Sequence, residues 1–309
     1  MKNKILLLIV LILAIVLVFV SLKAKKVYFE PLPVKEGEKV IYVRLLNEQD
    51  GSIKTINLED YIIGVVAAEM PASFEIEALK AQAVAARTFA MYKKETRNLD
   101  YDLVIGTKDQ AYQTNEQLLK KWGPAFFINY LKIRDAVIQT KGEILTYDNK
   151  TINAFYFSMS NGYTEKSSLV FKEDLPYLNS VESKWDNESL NNYKYVKTIT
   201  KEDFCKILDI ECNKITINNI ERSNTGRILT ITINNKEFTG TNLRTILSLR
   251  STDIELNIKD NEIEITTKGY GHGVGMSQYG ANGMAKEGYK YQEILSHYYL
   301  NTQITKIDV

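Results

Sequence analysis

With 309 residues, 45% of them hydrophobic and 25% charged, the chain is long enough for more than one ordinary domain and too balanced for a disordered, collagen-like or multi-pass membrane protein. Its net charge of +1 conceals five lysines and no acid within the first 26 residues; with those set aside, 34 basic side chains face 38 acidic ones, a mildly acidic body without the basic footprint that nucleic acid requires. Two histidines and two cysteines exclude a His-rich metal enzyme or a zinc-ribbon array.

Every residue from Ile5 to Val20 is apolar, and Ser21 and Leu22 extend the run to 18. That approaches the ~20 residues a helix needs to cross a bilayer. Ser21-Leu22-Lys23-Ala24 matches a small-x-small cleavage site poorly, so residues 1–26 read as a cytoplasmic tip and an uncleaved transmembrane anchor, with a cleaved signal peptide as the alternative. Lysines flank the run on both sides. A short N-terminus inside fits best, because a large C-terminal domain translocates largely regardless of nearby charge.

Residues 27–309 then form an extracytoplasmic body. Lys39 to Leu45 alternates as a strand and Asp50-Gly51 marks a turn, which predicts a hairpin at the entrance. The chain turns apolar from Tyr61 through Val66, and Phe74 to Lys94 reads as one amphipathic helix capped by Ser73, with Lys80, Val84 and Arg87 on one face. Its alanine-rich face requires another element to approach closely. Residues 98–117 read as loop, Phe127 to Thr140 as helix, and Glu143 to Tyr147 and Ala154 to Ser158 as strands. Residues 185–265 are Asn- and Ile-rich and alternating, a β-rich lobe with a turn at Asn234-Asn235 and short helices near Lys201–Leu208 and Thr241–Leu247. Tyr291 to Tyr299 is the last helix. The whole predicts an α+β ectodomain, mixed helical and antiparallel β, with a substrate cleft, a β-rich lobe and one N-terminal transmembrane helix.

Two stretches carry chemistry. Glu69 is flanked by Val65, Val66, Ala67, Ala68, Met70 and Pro71. In apolar surroundings a carboxyl stays protonated to higher pH and can donate to a leaving oxygen; a solvated or capping glutamate is the plainer reading. Gly269 to Ala281 packs glycines around His272, Ser277 and Gln278, and seven of the sixteen glycines fall between residues 269 and 288. It lacks the downstream βαβ unit of a dinucleotide fingerprint and the Gly-Lys-Ser/Thr of a phosphate loop. A polar groove wall and a purely structural turn both fit it. No metal-ligand spacing and no local nucleophile signature is present. Cys205 and Cys212 would be roughly 10 Å apart on one continuous helix and unable to bond, whereas a helix ending near Leu208 permits a disulfide.

Taken in order, Tyr61 to Pro71, Glu77 to Thr88, Phe157 to Glu165 and Gly269 to Ala281 resemble the stage II sporulation protein D family of membrane-anchored lytic transglycosylases. The resemblance implies cleavage of the β-1,4 bond between N-acetylmuramic acid and N-acetylglucosamine in peptide-free peptidoglycan during forespore engulfment, without a cofactor. It implies that Glu69 protonates the glycosidic oxygen and then deprotonates the C6 hydroxyl that attacks C1. Lys80 and Arg87 would hold glycan groups or tune Glu69, while Tyr112, Ser160, His272 and Gln278 would line the groove. The implied partners are glycan strands, a cell-wall amidase, other engulfment membrane proteins and the membrane itself, in the septal space. The same domain in amidase enhancers leaves a non-catalytic glycan-binding partner as the alternative. Some relatives carry a His/Cys zinc cluster after the catalytic helix; residues 98–120 here contain neither residue.

Overall fold

The computed structural model describes residues 11–12, 32, 34, 37–106, 108–171 and 173–307. The anchor expected at residues 1–26 therefore lies outside the described residues except for Leu11 and Ile12, and no helix among those described is long and apolar enough to cross a membrane. Strands β1 (Tyr42–Leu46) and β2 (Ile53–Asn57) form the entrance hairpin. The chain then enters helix α1 (Leu58–Glu69), which the sequence reading did not assign. Tyr61, Ile62, Ile63, Val65 and Val66 are buried around its whole circumference, so no polar face marks it. Gly64 lets the loop approach it: a Cβ there would stand 2.4 Å from the Tyr112 ring and 2.7 Å from the Gln113 carbonyl oxygen.

Helix α2 (Ile76–Thr96) starts three residues after Ser73. The predicted Ser73 cap is not used; Glu75 takes the cap position, its N–H bonded to Asn282 Oδ1 at 2.8 Å. The alanine face holds as expected, with Ala78, Ala81, Ala85, Ala86 and Ala90 fully buried where α2 meets its neighbours. Beyond it come β3 (Leu103–Val104), α3 (Asn115–Trp122), α4 (Phe126–Gln139), β4 (Glu143–Tyr147), β5 (Lys150–Thr151) and β6 (Tyr156–Phe157). Helix α3, read in sequence partly as loop, is closed by a Thr114/Gln117 capping box.

After α5 (Ser167–Phe171) the chain forms two three-stranded antiparallel sheets: β11-β12-β7 from β7 (Lys194–Thr200), β11 (Ile254–Ile258) and β12 (Glu262–Lys268), and β10-β9-β8 from β8 (Ile217–Arg222), β9 (Ile228–Ile233) and β10 (Lys236–Thr239). With α6 (Lys201–Leu208) and α7 (Gly240–Ile246) they enclose a hydrophobic core of their own, centred on Phe204, Ile231, Ile233, Leu243, Ile254 and Ile265. The Asn234-Asn235 turn has both residues at positive φ, +47° and +63°, the geometry of a two-residue hairpin loop. Helix α6 stops at Leu208, Asp209 turns left-handed, and Cys205 and Cys212 join in a disulfide with their Cα atoms 5.6 Å apart. The chain returns to the first core through β13 (Met276–Ser277), α8 (Gln278–Lys286), α9 (Tyr291–Tyr298) and β14 (Gln303–Lys306).

Candidate active site

Glu69 is the last residue of α1, and Met70 continues in extended conformation toward Pro71. Its carboxylate is therefore delivered from a buried helix to the edge of the fold. The opposite wall comes from the far end of the chain. Parallel pairing of β13 with β6 sets Met276 beside Tyr156 and Ser277 beside Phe157, so the residues that follow, Gln278 and Ser158, emerge side by side; Tyr279 N–H locks them by donating to Ser158 O at 3.0 Å. Gly275 permits that register, since its φ is +79° and a Cβ would fall 1.9 Å from Phe155 O.

Glu69 Oε1 accepts from Ala111 N–H at 2.8 Å and Oε2 from Gln278 Nε2 at 3.4 Å. Burial pushes the carboxyl above its ordinary value, and these two hydrogen bonds pull it only partly back. No cation contributes to that balance. Two clefts meet at this residue. One, of about 580 Å³, is lined among others by Met70, Lys121, Trp122, Asn129 and Tyr279; the other, of about 450 Å³, by Lys93, Asp109, Tyr156, Phe171, Tyr270 and His272. Glu69 and Ser158 belong to both. A chain molecule threaded through them would cross the carboxyl in mid-course.

Among the described residues lining the clefts, the only other carboxylate is Asp109. It is fully committed: Arg97 donates to both oxygens at 2.7 and 2.9 Å, and Val104 N–H donates to Oδ2 at 2.7 Å. Asp102 is held in the same way by Arg44, whose side chain reaches Oδ1 at 2.8 Å while its backbone N–H donates to Oδ2 at 2.9 Å. These clamps tie down the loop that offers Ala111 N–H to Glu69. They occupy the stretch where some relatives place zinc, and residues 98–120 do not fit such a site: no His or Cys is present, and both buried aspartates are spent on guanidinium groups.

Of the residues expected in the groove, His272 and Gln278 line it and four others do not. Arg87 is fully buried; its guanidinium grips both oxygens of Glu59 at 2.9 and 2.6 Å and also donates to Glu143 O. Lys80 pairs with Glu77 at 2.8 Å, and Glu77 in turn accepts from Tyr291 N–H, fastening α9 to α2. Tyr112 stacks on Tyr61 with ring centroids 5.5 Å apart and lines a different cavity with Tyr42, Asp60 and Tyr130. Ser160 is buried beneath the turn, its hydroxyl accepting from Gly162 N–H. Helix periodicity placed Lys80 and Arg87 on one face correctly, but that face meets protein, not solvent. Sequence reasoning missed Ser158, Trp122, Asn129 and Tyr270. Ser158 and Tyr270 lay inside segments already singled out, whereas Trp122 and Asn129 carried no signal.

His272 accepts from Val274 N–H through Nδ1 at 3.1 Å, so its proton sits on Nε2, 3.1 Å from Tyr156 O. Burial among Phe155, Phe157 and Phe171, with the charges of Arg244 and Arg227 adding to it, lowers its pKa to about 4. Unfolded histidine titrates near 6.5, so between about pH 6.5 and 4 the unfolded chain binds the extra proton. The neutral ring's contribution is complete above 6.5 and is lost as pH falls through that window, about 3 kcal/mol in all. Urea unfolding of the protein and of His272→Gln at pH 7 and pH 5 checks this: the variant is expected to lose less stability on acidification.

A sequence profile described as Stage II sporulation protein matches residues 47–147. The chain is 40% identical over 300 residues to the stage II sporulation protein D of Bacillus subtilis (strain 168), an overlap of 93% of this chain and 87% of that protein. It is 42% identical over 278 residues to the protein of the same name from Bacillus amyloliquefaciens, covering 88% and 80% of the two chains. The amidase enhancer of Bacillus subtilis (strain 168) is 31% identical over 302 residues, covering 78% of this chain and 40% of its own length.

Proposed function

The chain belongs to the stage II sporulation protein D family, and on that premise we propose that it is a lytic transglycosylase of the sporulating cell, cleaving the β-1,4 bond between N-acetylmuramic acid and N-acetylglucosamine in peptide-free glycan. Protonated Glu69 donates to the glycosidic oxygen as the bond to muramic acid C1 breaks. The resulting carboxylate takes the proton of the C6 hydroxyl as O6 closes onto C1, leaving a 1,6-anhydro end and a regenerated acid. No water is consumed and no second catalytic carboxylate is needed, unlike in ordinary glycosidases. The observation that carries this reading is Glu69 itself: a carboxyl whose pKa burial raises above the ordinary value, at the meeting point of two clefts whose only other carboxylate, among the described residues, is clamped by Arg97. Ser158 and Gln278 hold the scissile region against it. In this reading residues 1–26 anchor the enzyme and residues 27–309 work outside the membrane, beside an amidase that strips the stem peptides.

The amidase-enhancer relative supports a second reading, a glycan-binding partner that stimulates an amidase without cutting the strand. Weighing the products of peptide-free glycan incubated with the full-length protein in detergent separates the two. Anhydro ends, lighter by one water than reducing ends, are expected. Reducing ends would indicate hydrolysis with Glu69 still as acid, and intact strands would favour the non-catalytic partner.

A further inference from the structure

Helix α3 stops at Trp122 because Gly123 follows at φ +52° and Pro124 cannot continue the helix. Its last turn ends at the first cleft, which Lys121 and Trp122 line together with Asn129 of α4. Lys121 Nζ donates to Ala67 O at 3.3 Å and to Gln113 Oε1 at 3.2 Å. Ala67 lies two residues before Glu69 on α1, and Gln113 two residues after Ala111, whose N–H holds the Glu69 carboxylate. The ammonium is thus fixed between the two segments that position the acid, 5.9 Å from the centroid of the Trp122 ring.

Fastening those segments uses two of the three ammonium donors and leaves the charge unmatched. Among the described residues no acid lies within ion-pair distance of Lys121, and Glu69 and Lys121 are the only charged residues lining the first cleft. The second cleft differs: Lys93 faces Asp109 at 3.7 Å, Lys108 pairs with Glu48, and both His272 nitrogens are bonded. Nor is the charge of Lys121 spent on Glu69, whose pKa carries no contribution from a cation. The Asn129 amide and Trp122 Nε1–H also have no hydrogen-bond partner among the described residues, and neither is sealed from solvent. A cation without an acid, a free amide and an aromatic surface in one cleft suit a ligand that carries an anion, an amide and an apolar ring face.

We infer that Lys121, Trp122 and Asn129 form a subsite for an acidic, N-acetylated sugar in the first cleft, with the anion on Lys121, the ring against Trp122 and the acetamido group on Asn129. This rests on the proposed substrate, in which the sugar is N-acetylmuramic acid and the anion is its lactyl carboxylate, ionised once the peptide amide is gone. The same lysine that ties α1 to the Ala111 loop then reads whether the strand beside Glu69 has been stripped.

The test uses the full-length protein in detergent carrying Glu69→Gln, which keeps strands intact, and measures equilibrium binding to peptide-free glycan, to the same glycan with its carboxyls amidated, and to chitin hexaose. This parent is expected to bind the carboxylated strands about tenfold more tightly than the amidated ones; adding Lys121→Gln should erase that gap and leave amidated strands and chitin unaffected. Trp122→Ala and Asn129→Leu should each weaken all three ligands, which share the ring and the acetamido group. Equal binding of carboxylated and amidated strands by the parent, or a gap that survives Lys121→Gln, overturns the subsite while leaving cleavage standing. So does an equal loss for all three ligands in Lys121→Gln together with a lower Tm, which would make the lysine a fastening and nothing more. A gap that vanishes as expected, in a protein whose wild type never cleaves glycan, overturns cleavage alone; failure to bind any strand overturns both.

Discussion

Glu69→Gln is expected to lower kcat on peptide-free glycan by about 10²–10⁴-fold, the usual worth of a positioned general acid–base, with little change in KM. The substitution preserves shape. The new amide oxygen still accepts from Ala111 N–H, and the Gln278 amide can turn to present its oxygen to the new NH₂, so the wall of the cleft stays in place. What disappears is the transferable proton. Because burial raises the Glu69 pKa, wild-type activity is expected to hold level below that pKa and to fall as pH rises through it, when the free enzyme loses its proton before substrate arrives. A pH profile of kcat/KM for the wild type, with single-pH rates for the variant, checks both parts. Retention of full activity by Glu69→Gln would sink the assignment. Asp109, the other cleft carboxylate, offers a contrast: Asp109→Asn is expected to loosen the loop, because both its oxygens brace Arg97 and the Val104 N–H.

Much of this architecture was legible because local rules agreed with the tertiary outcome. The Asn234-Asn235 turn, helix Lys201–Leu208 and strand Glu143–Tyr147 all lie where side-chain pattern and turn chemistry place them. Helix α1 was not legible, because burial on every side leaves no period of 3.6 to detect. The candidate site divides along the same line. Glu69 and Gln278 could each be singled out, but their approach across 209 residues depends on the β6/β13 pairing, which two short strands do not announce. Resemblance misplaced Arg87, Lys80, Tyr112 and Ser160 for a related reason: residues that build the scaffold under a site occupy the same motifs as those that face the substrate.

Arg87 shows what that scaffold role costs to remove. Its side chain is wholly buried and that of Glu59 is 5% exposed, and the pair is completed by Gly142 N–H donating to Glu59 and by Arg87 donating to Glu143 O. Arg87→Met leaves the Glu59 carboxylate inside the fold without its cation, a loss of about 3–5 kcal/mol, which in a protein of this size lowers Tm by roughly 10 °C. Replacing both partners, Arg87→Met with Glu59→Leu, is expected to recover most of the loss, because no charge is then stranded. A residue that held glycan would behave the other way: its replacement would leave Tm near the wild-type value and weaken substrate binding, and removing Glu59 as well would restore nothing. Thermal unfolding of the two variants, with KM measured well below their melting temperatures, separates these outcomes. An unchanged KM alongside a depressed Tm places Arg87 in the structure that holds α1 against α2 and so fixes the height at which Glu69 enters the clefts.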